Sequence, residues 1–496
     1  MLIKKDNGAI DEKTSTLSYR SIFKATSLFG GVQLYQIIIS VVKSKFVAIL
    51  LGPAGMGLQG LYQSILDLIK SVSALGLEQS AVRDISEANG SGDLNRVSRT
   101  VETVRKLVWI TGSLGLLITL ILSPLLSKLT FGNGDYTWGF IILSTTLLIN
   151  QLCSGQKVLL QGMRRLKDLA KASAVGSTVG LLVSIPIYYW LGVDGIVPTM
   201  VLTSITALLL SWFYSRRIEI IKTHVTTRQA INDGRSMIKM GIAMSVSGIL
   251  VTLCAYILRG FIRQQGGVDE VGLFTAGFVI VNTYVGMVFS AMGTDYYPRL
   301  AAVNKDNNKC KELINQQGEV ALLILAPIIV SCILFMPLLI KIIYSDAFLP
   351  ANDYIMFAVT GVFFKAVSWV ISYSFLAKAE SKLFVINETI TNVYTLGLYL
   401  LGYSIGGLSG LGITFALGYL IYLIQVYCIS RMRYGFRFTK SFINILLVQF
   451  LFVGTCLTLR LMLNSNLFYV LGGIVFGLCS GYSLFSLNRR IRLINL

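Results

Sequence analysis

The chain has 496 residues, 54% hydrophobic and only 14% charged, yet its 43 Lys and Arg outnumber 24 Asp and Glu for a formal net charge of +19. Soluble domains carry nearer to about a quarter charged residues, so this composition excludes one. Apolar stretches of about 20 residues recur along the whole length, which is the thickness arithmetic of membrane-spanning helices and too long for barrel strands.

Taken in chain order, the apolar pattern predicts an all-α integral membrane protein with about fourteen spans, at 22–51, 56–82, 104–127, 136–160, 170–191, 195–215, 237–262, 270–296, 318–344, 352–378, 382–403, 409–430, 441–463 and 466–487. Residues 1–21 form a polar cytoplasmic tail without a signal-peptide core, so the first span serves as the targeting signal. Spans 1–6 make an N-lobe over 22–215, and a basic cytoplasmic linker follows at 216–236. Spans 7–12 make a C-lobe over 237–430, two more helices fill 431–487, and 488–496 is a cytoplasmic tail. An even number of crossings separates spans 1 and 7, which predicts parallel repeats related by an axis along the membrane normal.

The cations follow alternate connections. Arg96, Arg99, Arg105 and Lys106 lie in one, Arg164, Arg165 and Lys167 in the next, and Arg216, Arg217 and Arg228 in the linker. The opposite connections offer little beyond Lys128, Arg263 and Lys341. The positive-inside rule accounts for the net charge without a nucleic-acid partner and puts both termini in the cytoplasm. The outer connections are too short for a folded outer domain, which disfavours an enzyme with its active site outside. No GxxxxGK[ST], HExxH or GxSxG motif supports ATP hydrolysis or the common hydrolase mechanisms. Seven scattered cysteines, among them Cys153, Cys254, Cys332 and Cys456, read as small core residues, and the one histidine, His224, falls in the linker. No metal site is expected.

The residues that could carry chemistry are charges inside the apolar spans, where an ionisable group is costly and functional by default. Lys43 lies about nine residues, or roughly 13 Å, before the turn LLGPAGMGL, well inside a hydrocarbon core about 30 Å thick. Lys45, two residues on, points to a nearly opposite face. About 215 residues further, Arg259 precedes a second glycine turn, QQGGVDEVGL, so Lys43 and Arg259 read as repeat partners on two halves facing a common cationic cavity. Arg83 beside Asp84 and Arg299 after Asp295 end the helices that follow the two turns. Asp67 and Lys70, three residues apart, read either as a structural ion pair or as a site where substrate competes for Lys70. Lys365 has no acid within a turn and reads as a cavity residue. Asn387, Glu388, Thr391 and Asn392 offer either hard oxygen ligands for Na⁺ and a carboxylate that cycles H⁺, or plain interhelical hydrogen bonding. No cofactor is implied beyond such a coupling ion. Gly30-Gly31, Pro186, Pro327 and Pro337 mark expected hinges, and Tyr188, Tyr189 and Trp190 an interfacial belt.

The runs LLGPAGMGLQGLYQ (50–63), VGLFTAGFVI (271–280), TDYYPRLA (294–301) and LAKAESKLF (376–384) resemble the Wzx-type polysaccharide flippases of the multidrug/oligosaccharidyl-lipid/polysaccharide exporter superfamily, over essentially the whole chain. The resemblance implies two lobes forming a V that open alternately to either side of a bacterial inner membrane. It implies transfer of an undecaprenyl-pyrophosphate-linked oligosaccharide, such as an O-antigen or enterobacterial common antigen repeat unit, to the periplasmic leaflet. Membrane lipids, a polysaccharide polymerase and chain-length proteins are the partners it implies. In the related peptidoglycan-precursor flippases a basic residue shortly before the glycine turn contacts pyrophosphate, and Lys43 matches that place, although the acidic residue that follows there is Ser44 here. A drug/cation antiporter of the same superfamily and a membrane polymerase are the competing readings.

Overall fold

The computed structural model describes residues 7–491 except 222, 224 and 379, with side chains from Tyr35 onward apart from scattered positions; His224 and the Asp295 side chain fall outside the described set. All regular structure among the described residues is helical: α1 (Asn7–Ser73), α2 (Leu77–Gly90), α3 (Leu94–Phe131), α4 (Thr137–Gly162), α5 (Leu166–Leu191), α6 (Ile196–Ser215), α7 (Thr227–Asp233), α8 (Arg235–Phe278), α9 (Met287–Ala302), α10 (Asn307–Ile343), α11 (Asn352–Ala377), α12 (Ser381–Tyr434), α13 (Lys440–Met462) and α14 (Ser465–Ile491). Among the described residues ten segments are long and apolar enough to cross a membrane, so the chain is a multi-pass helical membrane protein.

The four longest of those ten, Tyr35–Ser73, Lys167–Ser215, Gly248–Ser290 and Lys382–Tyr434, run 39, 49, 43 and 53 residues, about twice the roughly 20 that one crossing needs. Each is interrupted by a glycine in the left-handed region, at Gly52 (φ 65°), Gly192 (φ 56°), Gly267 (φ 84°) and Gly407 (φ 54°). A side chain there would collide with its own backbone, so glycine is the residue that lets the chain turn. In α12 the turn makes an antiparallel hairpin: Gln425 reaches back to Asn387, and a Cβ on Gly402 would stand 2.6 Å from the Gly410 carbonyl oxygen. By contrast α5 continues past Pro186 and α10 past Pro327 and Pro337 without leaving helical geometry. The breaks fall between predicted spans, and the expected hinge positions Gly30-Gly31, Pro186, Pro327 and Pro337 all lie inside continuous helix.

Two predicted spans end earlier. The second, expected to reach 82, stops at Ser73, where Leu75 (φ 50°) and Gly76 (φ 61°) separate it from α2. The eighth gives way at Val279–Tyr284 to a π-helical turn before α9. Two others begin about three turns earlier than hydropathy shows, because aspartates cap them. Asp93 accepts from the Asn95 and Arg96 backbone N–H groups at the start of α3, and Asp306 from those of Asn308 and Lys309 at the start of α10. The parallel breaks and caps are internal-repeat signals that an apolar count cannot register.

Contacts divide the chain into two compact units, Met1–Leu51 with Tyr62–Ile249, and Gly52–Leu61 with Leu250–Leu496. In the first, Leu77, Ala81 and Ile85 of α2 pack with Val101, Val104 and Leu107 of α3 and Leu160 of α4. The basic segment after α6 joins that core through buried Ile218, and Arg99 pairs with Asp233 at 2.8 Å. In the second, α11 is the most enclosed span, its Ile355, Val359, Val362 and Val367 packed with Leu322, Ile329 and Val330 of α10 in a fully buried layer.

The turn LLGPAGMGL supplies a short piece of the second unit. Gly52 bends the chain, Pro53 begins the next helix where no N–H is needed, and Gly57 packs on the other glycine turn. A Cβ on Gly57 would lie 2.0 Å from the Val268 carbonyl oxygen, and one on Gly272 1.9 Å from that of Pro53. These are backbone-on-backbone contacts that only glycine allows.

The same spacing separates Gly52 from Gly267 and Gly57 from Gly272, which fixes the repeat register at the turns. Counted from them, Lys43 corresponds to Leu258, and Arg259 to Ser44. The two cations are therefore one residue out of register, about 100° apart around their helices, and are not strict repeat partners.

Candidate functional site

Each unit encloses a cavity of its own. In the first unit, Gln36, Ile39, Ser40 and Lys43 recur at helical spacing and present one stripe of α1. Opposite lie Ala172, Ser173, Gly176, Ser177 and Gly180 of α5, whose small side chains leave a space of about 360 Å³. Thr203 and Ala207 of α6 and Lys157 of α4 complete it. Two lysines, a glutamine and four hydroxyls line this cavity and, among the described residues, no carboxylate does, a donor set suited to an anion. Lys43 takes part and Lys45 does not.

In the second unit a larger space of about 520 Å³ lies among three helical stripes. Cys254, Leu258 and Arg259 come from α8; Lys365, Trp369, Ser372 and Tyr373 from α11; Glu388, Thr391, Asn392 and Tyr399 from the first arm of α12. Tyr419 and Tyr422 arrive from its second arm, brought back by the turn at Gly407. The Arg259 guanidinium sits over Phe274 and Phe278, 5.8 and 5.7 Å from the ring centres. The Lys365 ammonium lies 5.2 Å from the Tyr419 ring centre and 5.6 Å from that of Phe289, and donates to Asn282 Oδ1 at 3.2 Å. Asn282 belongs to the π-helical turn, a geometry that aims an extra residue inward and recurs at functional sites. Ring faces thus meet both cations, and a neutral amide meets Lys365.

Glu388 accepts from the Tyr422 hydroxyl at 2.7 Å and from Asn387 Nδ2 at 3.4 Å. Asn387 itself is buried and accepts from Gln425 Nε2 at 2.7 Å, so it fastens the α12 hairpin and does not line the cavity. Asn392 faces the cavity, with its Nδ2 on the Glu388 carbonyl oxygen.

The sequence candidates therefore divide. Arg259, Lys365, Glu388 and Asn392 share one cavity, and Lys43 lines the other. Asp67 and Lys70 line neither: Asp67 accepts from Gln63 at 2.8 Å, and Lys70 pairs with Glu78 at 3.1 Å, an acid from beyond the break at Leu75. Arg83 pairs with its neighbour Asp84 at 2.9 Å. Of the aromatic trio, Tyr189 and Trp190 are exposed while Tyr188 is buried. Sequence reasoning missed Lys157 and the ring of Trp369, Tyr399, Tyr419 and Tyr422. Lys157 was legible as a charge inside the predicted span 136–160; the rings were not, since aromatic residues populate every span.

Residues 46–353 match the family described as polysaccharide biosynthesis protein. The lipid III flippase of Escherichia coli (strain K12) is 20% identical over 381 residues, which cover 74% of this chain and 88% of that protein. Among solved structures, the lipid II flippase MurJ in an inward closed conformation superposes with a TM-score of 0.65 at 12% identity, covering 95% of this chain and 99% of that one. An inward-facing multidrug resistance MATE family transporter of the MOP superfamily gives 0.68 at 16% identity, over 81% and 94% of the two chains. These superpositions give the fold, a helical membrane architecture shared with both of those proteins. The family match spans more than half of the sequence, and the chain belongs to the polysaccharide biosynthesis protein family.

Proposed function

We propose that this protein is a flippase that carries an undecaprenyl-pyrophosphate-linked oligosaccharide, an O-antigen or related repeat unit, from the cytoplasmic to the periplasmic leaflet of a bacterial inner membrane. The supporting observation is that cations lodged within membrane-spanning helices, Lys43 and Lys157 in one unit and Arg259 and Lys365 in the other, line cavities instead of snorkelling to the surface. An unaided head group would strand its charge and hydroxyls in hydrocarbon, at a cost on the order of tens of kcal/mol for an isolated ion. A protein lining of lysine ammonium groups and hydroxyls replaces the water that the head group gives up.

In this reading the ten long segments make fourteen crossings, since each of the four interrupted ones crosses twice, arranged as two six-helix lobes and a closing pair. Lys43 and Lys157 take the pyrophosphate. The lipid tail remains in the bilayer, and alternating access carries the head group across. Glu388, with Asn392 beside it, is the candidate for coupling to H⁺ or Na⁺; Asp67 and Asn387 are the weaker candidates because they stand outside both cavities.

Deleting the gene tests the proposal. Lipid-linked repeat units should accumulate on the cytoplasmic face while surface polysaccharide disappears. Translocation that persists with altered polymer length would indicate a polymerase instead. One observation favours a second reading: Glu388 in an aromatic cavity is also the chemistry of an organic-cation site. Glu388-dependent export of a cationic dye, with surface polysaccharide unaffected by the deletion, would establish that antiporter reading.

A further inference from the structure

The cavity of the second unit is walled differently from an anion site. Its volume of about 520 Å³ falls within the roughly 300–1,000 Å³ usual for small-molecule sites, and much of its wall is aromatic. Trp369 and Tyr373 come from one side, Tyr399 and Tyr419 from the other, and all four are partly buried. Tyr399 is backed by Phe415, stacked at 8° between planes, and Trp369 by Phe289, with ring centres 5.5 Å apart. Rings braced in this way are rigid flat surfaces.

We propose that this cavity is a carbohydrate subsite that receives one or two pyranose rings of the transported molecule, stacked on Trp369 and Tyr399, with Arg259, Lys365 and Asn392 on the hydroxyl rim. A pyranose has two chemically distinct aspects: faces of C–H bonds that pack on aromatic rings, and an equatorial edge of hydroxyls that demands donors and acceptors. The cavity offers both. A lipid tail would leave Arg259, Lys365 and Asn392 facing hydrocarbon, which is costly. Pyrophosphate alone would leave the aromatic wall unused. An organic cation would find Arg259 and Lys365 already over the rings of Phe274, Phe278, Phe289 and Tyr419. The same cation–π contacts offset the positive charge, so these side chains act as oriented hydrogen-bond donors. Asn392 uses its Nδ2 on the Glu388 carbonyl oxygen, and its Oδ1 remains as an acceptor for a sugar hydroxyl.

The subsite rests on the flippase reading for the molecule that carries the sugar, and the test separates the two. The purified full-length protein in lipid nanodiscs is titrated with undecaprenyl pyrophosphate and with the lipid-linked oligosaccharide extracted from a host lacking the gene. The wild type should bind the glycosylated lipid more tightly than the bare one. Trp369→Ala with Tyr399→Ala should weaken the glycosylated ligand about tenfold or more while leaving undecaprenyl pyrophosphate within about twofold. Trp369→Phe with Tyr399→Phe keeps a ring at each place and should retain most of the affinity, which separates stacking from general damage to the fold. Lys43→Ala with Lys157→Ala should weaken both ligands. Equal loss of both ligands in the alanine pair, or no loss of either, overturns the sugar subsite. A wild type that binds neither ligand overturns the flippase reading and the subsite with it.

Discussion

The two cavities differ in how they hold a positive charge inside a membrane protein. In the first unit Lys43 and Lys157 stand among serine, threonine and glutamine side chains where small residues open α5, and the Glu78 carboxylate lies close enough to Lys157 to act on its charge. In the second Arg259 and Lys365 rest on aromatic faces, and the carboxylate of Glu388 is held by Tyr422. A hydroxyl-lined lysine keeps its field available to an incoming anion. A cation over a ring has already spent part of that field, and what remains is directional hydrogen bonding. Two halves with matching turns and caps therefore line their cavities differently, and substitutions should divide along that line.

The largest effect should come from the turns common to both halves. Gly57→Ala and Gly272→Ala each force a methyl group into a carbonyl oxygen about 2 Å away, and neither neighbour is a flexible side chain. Overpacking typically costs about 1–3 kcal/mol and more where backbone must part. Both variants should show a clearly lowered Tm in detergent and lose surface polysaccharide, while Gly454→Ala, which meets open space, should match the wild type in both measurements.

Next come the cations. Lys43→Ala, Lys157→Ala and Arg259→Ala should each lower translocation about tenfold or more at normal protein levels, the loss of roughly 1.4 kcal/mol or more expected for a charge-assisted hydrogen bond. The comparison sharpens with conservative changes. Lys157→Arg should keep most activity if only charge matters in the first unit, whereas Arg259→Lys should not, because the planar guanidinium that lies over Phe274 and Phe278 is not reproduced by an ammonium. Unchanged surface polysaccharide in both Lys43→Ala and Arg259→Ala would remove the proposed site.

A smaller effect is expected at Glu388. Glu388→Gln retains an oxygen for the Tyr422 hydroxyl and removes the charge, so the α12 hairpin should survive. If this carboxylate couples transport to an ion, gradient-driven translocation in proteoliposomes should fall about three- to tenfold while gradient-free exchange persists. Equal loss of both would give Glu388 a purely structural role with Asn387 and Gln425.

Much of the fold was legible because hydropathy and glycine punctuation act locally. The turn at Gly52 and its counterpart at Gly267 are written in the sequence, and so is the reversal in α12. The early starts of α3 and α10 were not, since the capping residues Asp93 and Asp306 precede polar turns that an apolar window rejects. Side-chain direction was the weakest link. A one-residue difference in repeat register turns Arg259 by about 100° relative to Lys43, and Asn387 and Glu388, adjacent in the chain, divide between the hairpin interface and the cavity. Lys70 was matched to the acid three residues away, yet its partner, Glu78, lies beyond a chain break that only the left-handed Leu75 and Gly76 reveal.

The smallest expected effect tests that directional argument most directly. Lys43 and Lys45 lie on the same helix at nearly the same depth, with the same charge and the same stem. They differ by about 200° of rotation, and only Lys43 joins Gln36, Ile39 and Ser40 along the cavity. Depth alone would make the two substitutions equivalent; a cavity site makes them unequal. Lys45→Ala should leave translocation within about twofold of the wild type while Lys43→Ala does not, measured as surface polysaccharide at matched protein levels. Equal impairment by both would show that the helix needs positive charge at that depth for insertion or orientation, and would leave the first unit's cavity without its leading residue.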